Sequence, residues 1–198
     1  MWPFSRKSKT PASAITVAEG LERLSGLGIR VRPGITQKDL LLMLGGTVES
    51  PVDWVSLLCV LGSEVEHGQF ERISDDIWHF DAECIEDDGD YARVVQRFAI
   101  LAKELLPIKD LRDHVDIENE TAWVEFKLDG QSVRWDLEVG DDWVDPNLYS
   151  RMQDLVEKRG GGKRFFIAAL GQDSLLCFGD EVMKNRLSGL SGLEFQWE

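Results

Sequence analysis

Residues 121–139 constrain the fold more than any other stretch of this chain. They read Thr-Ala-Trp-Val-Glu-Phe-Lys-Leu-Asp-Gly-Gln-Ser-Val-Arg-Trp-Asp-Leu-Glu-Val. Asp129-Gly130 suits a type I′ turn, whose two central positions need φ > 0. Folding back there sets Leu128 opposite Gln131, Phe126 opposite Val133, Val124 opposite Trp135 and Ala122 opposite Leu137. One face is then apolar, and the other pairs Glu125 with Arg134 across the strands. A one-residue slip would set large apolar groups against charges, so turn and pattern select the same register.

Other elements follow from periodicity and punctuation. Val17, Leu21 and Leu24 mark a helix over 14–24, and Thr36 with Asp39 is a capping-box signal for a second. Residues 54–61 form a short apolar run that shows no clear period, and a strand is expected there. Short strands are also expected at 29–31, 70–73, 77–85 and 109–118. Asp90 suits the start of a helix over 91–105, with Tyr91, Val94, Val95, Phe98, Leu101, Ala102 and Leu105 as its apolar stripe. Asp145 as N-cap and Pro146 in the first turn open a helix to residue 158. The continuous run 165–170 is expected as a buried strand, followed by strands at 175–178 and 193–197.

Together these predict an α+β fold: a mostly antiparallel sheet of about six or seven strands with helices packed on one face. Residues 13–198 are expected as one domain behind a flexible basic tail over 1–12, with 13–61 as a separable N-terminal lobe. A weak internal echo is present. Trp78, the acidic loop 86–90 and Tyr91-x-Arg93 resemble Trp135, the acidic loop 140–145 and Tyr149-x-Arg151. A duplicated β-loop-α-β unit would explain it; chance likeness explains it nearly as well.

Charge narrows the function classes. Lys and Arg number 22 against 36 Asp and Glu, a net charge of -14. Nucleic-acid surfaces need Lys and Arg to neutralise phosphates, so no nucleic-acid partner is expected. No apolar run approaches the ~18 residues of a membrane span, and no long apolar segment follows the basic residues near the start as in a secretory signal. The expected compartment is the cytoplasm, with no membrane association. Cys59, Cys84 and Cys177 lie far apart in apolar surroundings, as reduced thiols do.

Motifs for chemistry are sparse. Asp87, Asp88 and Asp90 are weak candidates for binding a divalent cation, but the spacing is not that of an EF-hand, and acidic residues are favoured before helices in any case. His67, His79 and His114 form no zinc pattern, and Gly160-Gly161-Gly162-Lys163-Arg164 lacks the hydroxyl of a phosphate loop. No catalytic residue and no cofactor is assigned.

Trp123 and Trp143 do not fit core positions. Trp123 falls on the polar side of the hairpin opposite Asp136, and Trp143 lies among Asp141, Asp142 and Asp145. Exposed Trp within a carboxylate rim is the composition of an interface that meets a basic protein partner. In size and charge the chain is similar to the small acidic inhibitors that neutralise toxins in bacterial competition, an analogy of composition and not of motif. The leading expectation is therefore a non-catalytic acidic binding protein of inhibitor or immunity type. The alternatives are a hydrolase or cation-dependent enzyme built on a carboxylate cluster, and a structural component that self-associates through the 193–197 edge.

Overall fold

The computed structural model describes residues 14–47, 50–66 and 68–198. The expected tail over 1–12, and His67, lie outside them. The described residues form six helices and nine strands arranged in three antiparallel sheets.

The N-terminal part of the chain carries α1 (Val17–Ser25), α2 (Gln37–Met43) and α3 (Trp54–Gly62). Thr16 with Glu19 and Thr36 with Asp39 close capping boxes at the first two. α3 corrects the strand expected at 54–61. Asp53 caps it, accepting from the Ser56 amide at 2.9 Å. Trp54, Leu57, Leu58 and Leu61 are buried at helical spacing. Val55, Cys59 and Val60 between them are apolar too, and that hid the period in the sequence. α3 ends against the next strand so closely that a Cβ on Gly62 would meet the His79 amide nitrogen at 2.4 Å.

A small ribbon, β1 (Glu64–Glu66) with β2 (Phe70–Arg72), precedes β3 (Ile77–Asp81). Then come α4 (Asp90–Ala102), β4 (Lys109–Asp116), β5 (Thr121–Leu128), β6 (Gln131–Leu137), α5 (Asn147–Glu157), β7 (Arg164–Ala169), β8 (Asp173–Gly179), α6 (Glu181–Ser191) and β9 (Gln196–Trp197). The central hairpin holds the register read from its side chains, with Val124 opposite Trp135 and Glu125 opposite Arg134. The strand expected at 29–31 is reduced to a single bridge, Val31 to Ser74, and the one expected at 193–197 to its last part.

The strands divide into sheets ordered β3-β8-β7-β9 and β4-β5-β6, plus the ribbon. The echo in the sequence has a topological counterpart. β3, α4 and the β4–β5 hairpin follow the same order as β6, α5 and the β7–β8 hairpin. Each leading strand pairs with the hairpin of the other unit: β3 with β8, and β6 with β5.

Two cores result. Trp78, Phe80, Phe165 and Leu176 from the four-stranded sheet join α4, α5 and the apolar face of β4-β5-β6 in one. Ile77, Phe166, Ala168, Leu175 and Cys177, from the opposite face of the same strands, join α1, α2, α3 and α6 in the other. Helices thus cover both faces of the four-stranded sheet, not one. No helix among the described residues is long and apolar enough to cross a membrane.

Candidate functional site

The segments that follow β3 and β6 meet. The Val144 amide donates to the Ala82 carbonyl at 3.0 Å, and the Ile85 amide to the Asp142 carbonyl at 2.9 Å. This pairing brings Asp81 and Glu83, at the end of β3 and just beyond it, to Asp141 and Asp142 in the loop after β6. Asp141 takes φ +61, a left-handed conformation that Asp tolerates better than most residues. Trp143 beside it keeps 44% of its surface exposed.

The electrostatics are one-sided. The Glu83 carboxyl is held above its ordinary range by desolvation first, then by the charges of Asp142 and Asp81, with the Gln172 amide partly offsetting them and Asp141 adding to them. Among the described residues no Lys or Arg forms an ion pair with Asp81, Glu83, Asp141 or Asp142. In the sequence Asp81 and Glu83 alternate with Phe80, Ala82 and Cys84, the pattern of the solvent side of a half-buried strand. Nothing in the local pattern linked them to the loop after β6.

Asp145, expected on this surface, is a correction: it is 2% exposed. One carboxylate oxygen accepts from the Glu138 amide at 3.0 Å, and the other from the Asn147 amide at 2.8 Å and the Asn147 side chain at 3.0 Å. Its own amide donates to the Tyr91 hydroxyl at 3.1 Å. Asp145 therefore joins the two units internally.

Trp123 and Asp136 occupy another surface, the outer face of β4-β5-β6. Trp123 is half-buried, with the Arg134 guanidinium 4.1 Å from its ring centre, and Arg134 also lies 3.6 Å from Asp136. No hydrogen bond, ion pair or ring contact among the described residues joins this pair to Trp143. The structure places the expected interface residues in two groups and leaves only Trp143, Asp141 and Asp142 in an acidic rim.

Of the weak metal candidates Asp87, Asp88 and Asp90, the last two serve the backbone. Asp88 accepts from the Val115 amide at 2.7 Å and contacts His114 Nδ1 at 3.1 Å. Asp90 accepts from the Glu86 and Asp87 amides at 2.8 and 3.0 Å and pairs with Arg93. Among the described residues no group of three His, Cys, Asp or Glu side chains is arranged to hold a metal ion.

One constellation was not legible in sequence. The Ser63 hydroxyl lies 3.3 Å from His79 Nδ1, and His79 Nε2 lies 3.8 Å from Asp173. Ser63 donates its proton to the Cys59 carbonyl at 2.7 Å, at the end of α3. With its proton on the Cys59 carbonyl, the Ser63 hydroxyl oxygen accepts from His79 Nδ1. Burial pushes the Cys59 and Cys84 thiols up to about 11, away from reactive thiolate. No protein-family model matches this chain, and neither a curated protein nor a solved structure matches it.

Proposed function

We propose that this chain is a non-catalytic binding protein that engages a basic protein partner through the acidic surface around Trp143. The observation that supports this most directly is the gathering of Asp81, Glu83, Asp141 and Asp142, none paired with a cation among the described residues, beside an exposed Trp. Unpaired carboxylates of one sign raise the encounter rate with a basic surface, and the gain falls as salt screens it. Trp143 supplies the large apolar contact that interface hot spots use. An inhibitor or immunity-type role is the form of this function that the size and charge suggest.

The test separates the two contributions. With a basic partner isolated at low salt, Asp141→Lys/Asp142→Lys slows association, and the difference from the parent shrinks as salt rises. Trp143→Ala mainly speeds dissociation, by about thirtyfold for a loss of about 2 kcal/mol. Unchanged association rates in the double variant would remove the electrostatic basis of the proposal. Titration calorimetry with Ca²⁺, Mg²⁺ and Mn²⁺ addresses the cation-dependent alternative, and heat at the Asp141–Asp142 loop would favour that instead.

A further inference from the structure

Arg97 occupies a place that a charged side chain rarely takes. It lies on the apolar stripe of α4, three residues after Val94 and next to Phe98, and is 7% exposed. A guanidinium carries five N–H donors. Among the described residues Arg97 makes one hydrogen bond, from Nη2 to the Gly62 carbonyl at 3.3 Å. Its nearest carboxylate, Glu64 Oε1, is 3.8 Å away, and its guanidinium carbon sits 5.5 Å from the Trp78 ring centre. Burial with so few partners is unfavourable for a charge. It lowers the guanidinium pKa to about 10, against the opposing pull of Glu64.

A cavity of about 400 Å³ opens onto this group. Arg93, His79, Ser63 and Phe70 line it with Arg97, as do the carboxylates Glu64 and Asp81. The volume lies within the range of small-molecule sites. Glu64 and Phe70 belong to the β1–β2 ribbon, whose three-residue strands pair, among the described residues, with each other alone. Such an isolated ribbon has little stability of its own. The Glu64 side chain is 45% exposed and Phe70 is 73% exposed. The Glu64 carboxylate is thus a half-exposed internal anion that reaches Arg97 only at 3.8 Å, and Phe70 is an apolar group without cover.

We propose that this cavity binds a small organic monocarboxylate, whose oxygens displace Glu64 from Arg97 and whose apolar body rests against Phe70. The Arg fork matches a carboxylate in two parallel hydrogen bonds, a geometry that Glu64 does not reach at 3.8 Å. Arg93, with 59% of its side chain exposed and its guanidinium paired with Asp90 at 3.1 Å, stands at the same cavity. Asp81 and Glu64 on the lining disfavour a more highly charged anion, hence a single carboxylate. The site adjoins the Trp143 surface at Asp81, which belongs to both, but its test does not depend on a protein partner.

Benzoate is the probe and benzyl alcohol the neutral control, followed by NMR at the Arg97 Nε–Hε signal and by calorimetry. Benzoate shifts that signal saturably, and benzyl alcohol does not. Glu64→Gln removes the internal competitor and tightens benzoate binding about tenfold, whereas Arg97→Lys keeps the charge, loses the fork and weakens it about tenfold or more. Should Arg97→Lys fail to fold, the exposed changes Arg93→Gln and Phe70→Ala decide, each weakening benzoate severalfold. A silent Arg97 signal, or equal benzoate affinity in the parent and Glu64→Gln, would overturn the proposal.

Discussion

The two sheets that share the core around α4 and α5 are each built from a hairpin and the first strand of the other unit, but they have different surroundings. In β3-β8-β7-β9 both faces are buried: Phe165 and Leu176 enter one core, while Phe166 and Leu175 enter the other. In β4-β5-β6 only one face is buried. Ala122, Val124, Phe126 and Leu128 point into the core, while Glu125 pairs with Arg112 at 2.9 Å and Arg134 at 3.7 Å, and Lys127 pairs with Asp110 at 2.7 Å. The difference arises from what lies outside each sheet. α1, α2, α3 and α6 cover the first, and no described element takes the equivalent place over the second. Strand sequence follows cover: a continuous apolar run where both faces are dry, strict alternation where one is wet.

This contrast makes predictions of graded size. The largest concerns the doubly covered sheet. Phe166 is fully buried and packs edge-to-face against Phe195 and Trp197, so Phe166→Ala should cost about 3–5 kcal/mol in chemical denaturation. A loss below about 1 kcal/mol would mean that the N-terminal part of the chain is not an integral layer over this sheet. A smaller effect tests that layer at its edge. Asp53→Ala removes the cap of α3 and should cost about 1 kcal/mol. Burial pushes the Asp53 carboxyl up, but bonds from the Ser56 hydroxyl and amide outweigh this and hold it below the ordinary 3.8. The folded pKa is thus depressed, so its contribution is present above 3.8 and lost as pH falls through the folded value. Parent and variant melts should accordingly converge in acid. The smallest effect is on the open face. Arg134→Gln loses a contact with Trp123 and two long ion pairs, and should change stability by less than about 1 kcal/mol. A larger loss would show that this face is structurally closed after all.

Several features were legible from residues alone because their causes are local. The Asp129-Gly130 turn fixed the hairpin register, since turn geometry and side-chain alternation act within a few residues of each other. Both helices with clean apolar stripes, α4 and α5, lie where the spacing put them. α3 was misread because an element that is apolar on every side carries no period. Arg97 could have been noticed, since its spacing from Val94 and Leu101 placed it on the apolar stripe. Asp145 could not have been assigned: the same residue type serves an exposed acidic loop or a buried joint, depending on what approaches it.

Sequence by itself determined the α+β class, the antiparallel hairpin, the capping box of Thr36 with Asp39 and the excess of acidic charge, because each depends on neighbours along the chain. Tertiary structure alone decided that the strands form separate sheets, that each unit lends its first strand to the other, and that Asp81 and Glu83 stand with Asp141 and Asp142. Those outcomes depend on pairings between distant segments. Apolar alternation selects the face a strand buries, but it carries no information on which partner strand lies beside it.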